Sequence, residues 1–295
     1  MTGFRLPAGP GEVRLRVASA SHAGMVRTVN EDSLLAEPPV FAVADGMGGH
    51  AFGDRASATA VLALHEEFDP EQATDAGHVL AAIRRANAAV RELTAWAGGG
   101  SQLIAGTTLA GVALVAEHPE AAPRWMVFNL GDSRVYRWDG SGSPALERVS
   151  VDHSVVQELL DAGLIDEEGA RHHPERNVIT RALGAADEVR AEAWLLPATE
   201  PQTFLICSDG LTKELDDQRI TELLVPVATS EGPDAAVDRL LAAALAAGGA
   251  DNVSVVLVRA EYHGAVPVDS GVDEQTRERG RSVLSPELDD TRPRA

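Results

Sequence analysis

Apolar residues alternate with polar ones, or run together, in short stretches that each predict a β-strand. They fall at residues 12–19 (EVRLRVAS), 32–36, 40–44, 107–115 (TTLAGVALV), 125–130, 134–138, 145–149, 190–196, 202–207 and 253–260. Helical spacing takes over elsewhere. Between 54 and 68 it gathers Val61, Leu62, His65 and Phe68 on one face, and from 76 to 97 it gathers Val79, Ile83, Ala86, Val90, Leu93 and Ala97. Residues 154–163, 166–173, 216–224 and 233–247 complete the helices. VYRWDGSGSPALERV reads as a hairpin turning at Asp139-Gly140 and Ser141-Gly142. Neighbouring strands joined this tightly predict packed antiparallel sheets flanked by helices, an α+β fold.

Charge narrows the chemistry. The 295 residues carry a formal net charge of −20, and the last 32 hold 5 Arg against 7 acids, so the acidity belongs to the folded body. Such a surface repels a nucleic-acid backbone and leaves an anionic substrate in need of bound cations or an arginine. One cysteine, Cys207, excludes an internal disulfide and suits a reducing cytoplasm. No apolar run approaches a membrane span, and MTGFRLPAGPGEVRL lacks a signal peptide's apolar core, so the chain is expected in the cytoplasm, as a monomer. Residues 1–12 are expected to be a flexible N-terminus. The Pro-, Gly- and charge-rich stretch 264–295 is expected to be a disordered tail.

FAVADGMGGHAFGDRASATA, residues 41–60, supports two chemistries. Its glycines fit a dinucleotide fingerprint, with Glu66 and Glu67 about twenty positions on as the ribose acid. That site needs a second strand before the acid, and here the acids fall inside the first helix. The alternative is a metal site. FAVADG ends in Asp45, FNLGDS in Asp132 and FLICSDG in Asp209, each acid closing an apolar strand, and Asp251 precedes the last strand. Any one Asp at a strand end is commonly a turn residue, but three that end strands alike, with Asp251 as a fourth candidate, strain that reading, and several carboxylates together need protons or cations. Oxygen ligands without Cys/His spacing select Mg²⁺ or Mn²⁺.

The blocks SHAGMVRTVNEDS, FAVADGMGGHAFGDRAS, GTTL, FNLGDSRVYRW, VDHSVVQELLDAGLI, HPERNVITRALG, LICSDGLTKEL and GGADNVSVVLV run across about residues 15–260. In that order they resemble the bacterial metal-dependent protein phosphatases, the type 2C serine/threonine phosphatases. The resemblance implies a four-layer sandwich of two antiparallel sheets between helices over 13–263, with a flap subdomain at about 150–185. By motif position Asp45 resembles the acid bridging two metals, Gly46 a carbonyl ligand, and Asp209 and Asp251 the second metal's ligands. Glu31 resembles a carboxylate contacting that metal, often through water, and Asp32 a neighbour ordering those waters. Asp132 resembles an acid of a weaker third site, with a plain turn acid as its alternative. Arg27 resembles the phosphate-binding arginine, whose planar fork matches paired phosphate oxygens.

The implied activity is hydrolysis of phosphoserine and phosphothreonine in proteins, with a bacterial serine/threonine kinase or its targets as signalling partners. Met47 stands where some members carry a proposed general acid, leaving the proton donor unassigned. His153 is expected to cap the helix at 154–163 and fix the flap base. Cys207 is expected as a buried apolar residue, and Thr107 and Thr108 as hydroxyl supports of the metal loop. The rivals are a catalytically silent binding module of the same fold and a metal-dependent nuclease; the intact acids oppose the first and the −20 charge the second.

Overall fold

A computed structural model describes residues 2–47, 52–96, 106–138, 146–225, 232–265 and 282–283. The glycines Gly48 and Gly49, His50, Ala97, the 139–145 turn and most of the 264–295 tail lie outside the described residues. The strands are β1 (Thr2–Ala8), β2 (Gly11–His22), β3 (Asp32–Glu37), β4 (Val40–Met47), β5 (Gly106–Thr107), β6 (Leu109–Val115), β7 (Arg124–Leu130), β8 (Arg134–Trp138), β9 (Leu146–Arg148), β10 (Glu192–Pro197), β11 (Gln202–Cys207), β12 (Val253–Gly264) and β13 (Ser282–Val283). The helices are α1 (Gly53–His65), α2 (Ala76–Trp96), α3 (Val155–Asp161), α4 (Glu167–His172), α5 (Asp209–Glu214), α6 (Asp217–Leu224) and α7 (Gly232–Ala247).

Two antiparallel sheets form the centre. One runs β1-β2-β12-β11-β8-β9 and the other β13-β10-β7-β6-β4-β3, with β5 paired to β4. Alternation explains how each sheet faces two ways. In β4, Phe41 and Val43 point between the sheets, while Val40, Ala42 and Ala44 point outward to α1 and α2. In β11, Phe204 and Ile206 face inward and Leu205 and Cys207 face outward to α5, α6 and α7. Both faces are covered, so central strands read as unbroken apolar runs, and all seven residues of β6 are buried. The result is the expected α+β sandwich of helix, sheet, sheet and helix layers. Trp125 of one sheet meets Phe204 of the other with ring centroids 5.2 Å apart and planes tilted 57°, a contact worth about 1 kcal/mol beyond burial.

Four expectations need correction. The N-terminus is not flexible along 2–8: β1 pairs with β2 from Thr2↔Val17 to Ala8↔Gly11 and buries Leu6 and Ala8. Pro7 disguised it, since proline is tolerated on an edge strand such as this one but reads as a breaker. Within the tail, Ser282–Val283 is a strand, adding to the otherwise open edge of β10 through Trp194↔Val283 and Leu195↔Ser282. Asp209 opens α5 rather than ending a strand. Finally, α1 buries Gly53, Ala56, Ser57, Ala60 and Leu64, whereas Leu62 is 55% exposed. Small side chains at Gly53, Ala56, Ser57 and Ala60 let this helix lie close on β3 and β4, with Leu64 buried at its C-terminal end and Leu62 turned to the exposed side. On α2 the expected face holds, with Val79, Ile83, Ala86 and Val90 buried. No strand separates α1 from α2, which disposes of the dinucleotide order.

Candidate functional site

At one end of the sandwich the inward-facing positions turn polar. Counting on by twos from the inner apolar residues leads to Asp32 on β3, Asp45 on β4, Thr108 before β6, Asn129 on β7, Ser208 after β11 and Ser254 on β12. Asp32 and Asp45 are direct cross-strand partners, so their side chains share this face. Asp209 follows β11, Asp132 lies in the β7–β8 turn and Asp251 precedes β12. The strand-end acids read from sequence therefore meet at one edge.

Their electrostatics show the crowding. Burial holds Asp45 well above the usual carboxylate range, and the charges of Asp209, Asp32, Asp132 and Asp251 add to it. Burial pushes Asp132 up to about 7, again with Asp209 and also Asp152 contributing. Asp32 rises to about 6 through burial, opposed by hydroxyl hydrogen bonds from Ser254 and Ser208. Asp209 is raised by burial as well, with Asp251 adding and Lys213 opposing. Ser208 Oγ donates to Asp32 Oδ2 at 2.8 Å and links the two sheets. Among the described residues, three buried carboxylate oxygens have no hydrogen-bond partner: Asp32 Oδ1, Asp132 Oδ1 and Asp209 Oδ1. Buried anionic oxygens left this way are costly unless a cation meets them.

The backbone around the acids is clamped. Asp45 N–H donates to Thr108 Oγ1 at 2.9 Å, and the Asp45 carbonyl accepts from Thr107 Oγ1 at 3.0 Å and Thr108 N–H at 2.9 Å. The two threonines thus act as expected. Gly46 N–H donates to the Glu31 carbonyl at 3.1 Å, and a Cβ on Gly46 would sit 2.1 Å from the Gly53 carbonyl oxygen. A Cβ on Gly210 would sit 1.9 Å from the Asn252 carbonyl oxygen. Only glycine allows either approach. The Glu31 carboxylate lies against Gly53 at the start of α1. His153 does not cap α3, because Ser154 does so by accepting from Gln157 N–H. Instead the His153 ring accepts from Gly131 N–H at 3.1 Å beside Asp132, and its carbonyl accepts from Thr180 N–H at 2.9 Å at the flap base. Burial lowers the His153 pKa, which keeps the ring neutral and able to accept.

Two cations reach the acids. Arg27, half-exposed, places Nε 3.0 Å from Asp251 Oδ1 and Nη2 3.2 Å from Asp251 Oδ2. Lys213 places Nζ 2.5 Å from Asp209 Oδ2 and 3.2 Å from Asp251 Oδ2. Arg27 therefore meets a carboxylate of the cluster here. Sequence reading gave no role to Lys213 or Ser208, and noted Asn252 only as part of the Asp251-Asn252 pair before β12. Among the described residues, no three acidic, Cys or His side chains already enclose one point as a finished metal cage. The donors are nonetheless all oxygen, crowded and partly unpartnered, which is the chemistry hard divalent cations satisfy. A groove of about 650 Å³ between β1, β3 and α1 touches the cluster only at Asp32. Its lining by Phe4, Leu35, Val61 and Leu62 sets it apart from the acids. Cys207 is fully buried and its thiol is pushed up to about 12 by burial, which leaves it no nucleophilic role. No described helix is long and apolar enough to cross a membrane.

Comparison with known proteins agrees with this geometry. Residues 21–246 match the pattern of the family described as Protein phosphatase 2C. The serine/threonine protein phosphatase PstP of Mycobacterium tuberculosis is 36% identical over 262 residues, 87% of this chain and 48% of that protein. The chain thus spans about half the length of that relative. It covers 92% of the Listeria monocytogenes serine/threonine phosphatase stp, at 34% identity over 244 residues and 80% of this chain. A crystal structure of the PstP catalytic domain in complex with two manganese ions superposes with a TM-score of 0.71 at 34% identity, over 84% of this chain and 99% of that one. The shared sandwich, the matched span and these relatives show that the chain belongs to the protein phosphatase 2C family.

Proposed function

We propose that this chain hydrolyses phosphoserine and phosphothreonine in proteins, with two Mn²⁺ or Mg²⁺ ions held at the acidic end of the sandwich. The observation that carries this reading is the set of buried, mutually repelling carboxylates with three unpartnered oxygens. Asp45, Asp209 and Asp251 are the principal ligands in this proposal, with the Gly46 carbonyl beside Asp45. Asp32 and Glu31 order the periphery, and Asp132 with Asp209 offers a further, weaker site. When bound, such ions supply a water made nucleophilic and neutralise phosphate charge.

The chain's own residues fix the geometry. Thr107 and Thr108 hold the Asp45 backbone from both sides, and Ser208 orients Asp32. Arg27 carries a guanidinium that contacts the cluster acid Asp251. Once Asp251 is satisfied otherwise, its fork is free to grip two equatorial phosphate oxygens. Asp45 and its neighbours, buried beside the attacking site, favour proton loss from water there. Paired hydrogen bonds between Thr107 and Leu183 tie the base of the 150–185 segment to the metal loop, which supports its reading as a flap that meets a protein substrate. The lone buried thiol suits a cytoplasmic protein, and a serine/threonine kinase or its targets suit it as partners, with the chain acting as a monomer.

The test is phosphate release from a phosphothreonine peptide with Mn²⁺ or with excess EDTA, in the wild type and in Asp209→Asn. Turnover that needs the metal and drops by about a hundredfold or more in the variant supports the reading. A folded wild type that binds the phosphopeptide without turnover favours the silent binding module instead.

A further inference from the structure

Lys213 stands four residues after Asp209 on α5, so the two side chains share one face of its single turn and a half. Its ammonium lies between two acids from distant parts of the chain, 2.5 Å from Asp209 Oδ2 and 3.2 Å from Asp251 Oδ2. Its side chain is only 37% exposed, and the same Asp251 also carries Arg27. Burial works against the Lys213 charge, but Asp209 and Asp251 more than offset it and raise its pKa. The outer oxygens of both acids are therefore covered by a cation of the chain itself, while the inner Asp209 Oδ1 has no partner.

We infer that Lys213 is a tethered counter-cation that competes with divalent metal for Asp209 and Asp251. The inference rests on the metal reading of this site. An ammonium held on Asp209 Oδ2 and Asp251 Oδ2 repels a divalent ion approaching either carboxylate, and an ion that takes those same two oxygens has to displace it. In this inference metal entry pushes the lysine outward, and metal loss lets it return. Two consequences follow: Lys213 steadies the metal-free acids and weakens metal binding.

The measurement is a calorimetric Mn²⁺ titration of the full chain, with thermal unfolding of the chelated protein, for the wild type, Lys213→Met and Lys213→Arg. The inference expects Lys213→Met to bind Mn²⁺ about tenfold more tightly while the chelated form melts lower, and Lys213→Arg to stay near the wild type. An ordinary structural ion pair would lower the melting temperature with or without metal and leave the affinity unchanged, and that outcome overturns the inference. Should the Met variant fail to fold, Lys213→Gln keeps a hydrogen-bond donor without the charge and is read the same way. If the wild type takes up no Mn²⁺, the metal reading and this inference fall together. If Mn²⁺ binds, is lost in Asp209→Asn and is unaffected by Lys213→Met, only the competition is wrong.

Discussion

Asn252 spends its whole side chain on one loop. Its amide donates to the carbonyls of Ala23 and Val29, both at 2.9 Å, and its oxygen accepts from Glu31 N–H at 2.8 Å. The segment carrying Arg27 is thereby closed at both ends, although Met25, Val26 and Val29 on it are exposed. Replacing Asn252 with Ala removes three hydrogen bonds and leaves partly buried groups unpaired, so Asn252→Ala is expected to cost about 3 kcal/mol in urea unfolding. A loss below about 1 kcal/mol would show that water replaces the amide without difficulty. The acids were legible in the sequence because each closes or opens an apolar run, a signal that survives without coordinates. Lys213 was not. Its reach to Asp209 depends on a helix starting at Asp209, and the apolar run before it gave only the strand. Asn252 and Ser208 were obscured for a related reason: the Glu31 amide that Asn252 holds and the Asp32 carboxylate that Ser208 holds lie more than 170 residues away in sequence.

Helix α1 shows how an element's pattern can point to the wrong face. Val61 and Leu62 line the groove beside β3, while Ala56, Ser57 and Ala60 meet the sheet together with Leu64. Periodicity weights side chains by hydrophobicity, but a helix lying close to a sheet selects for small volume. Ala60 is fully buried, so Ala60→Leu has no space to fill and is expected to destabilise by about 1–3 kcal/mol. Leu62→Gln, on the exposed side, should change stability by less than about 0.5 kcal/mol. Urea midpoints for the pair check this; equal losses would mean that the groove side of α1 is the face that holds it. On α2 the periodicity was right, because that long helix packs large residues on its buried side and leaves Arg84, Arg85 and Arg91 on the other.

For the whole molecule, a formal charge of −20 makes self-repulsion part of the stability balance. Any salt relieves it by screening, but only ions bound at the acidic end relieve the buried carboxylates. Millimolar Mn²⁺ is therefore expected to raise the unfolding temperature beyond NaCl of equal ionic strength, and EDTA to remove the excess. At a hundred times the dissociation constant one such site contributes about 2.7 kcal/mol. Asp209→Asn should abolish the excess and keep the screening part; equal effects of the two salts would argue against a specific site. While the four layers were implied by the family resemblance, packed antiparallel sheets flanked by helices were legible because hairpin-close strands and helical regions admit few layouts. The order of strands within each sheet was not, since nothing local says that β12 enters between β2 and β11. That placement bears on how the protein is made. During synthesis the β1–β2 hairpin emerges first and β11 with β8 and β9 later, but the two groups share no edge until residues 253–264 arrive to join them. Asp251 comes out with that same last strand. A chain halted on the ribosome before it would carry Asp32, Asp45, Asp132 and Asp209 yet no assembled centre, so metal uptake would report a finished chain rather than a growing one.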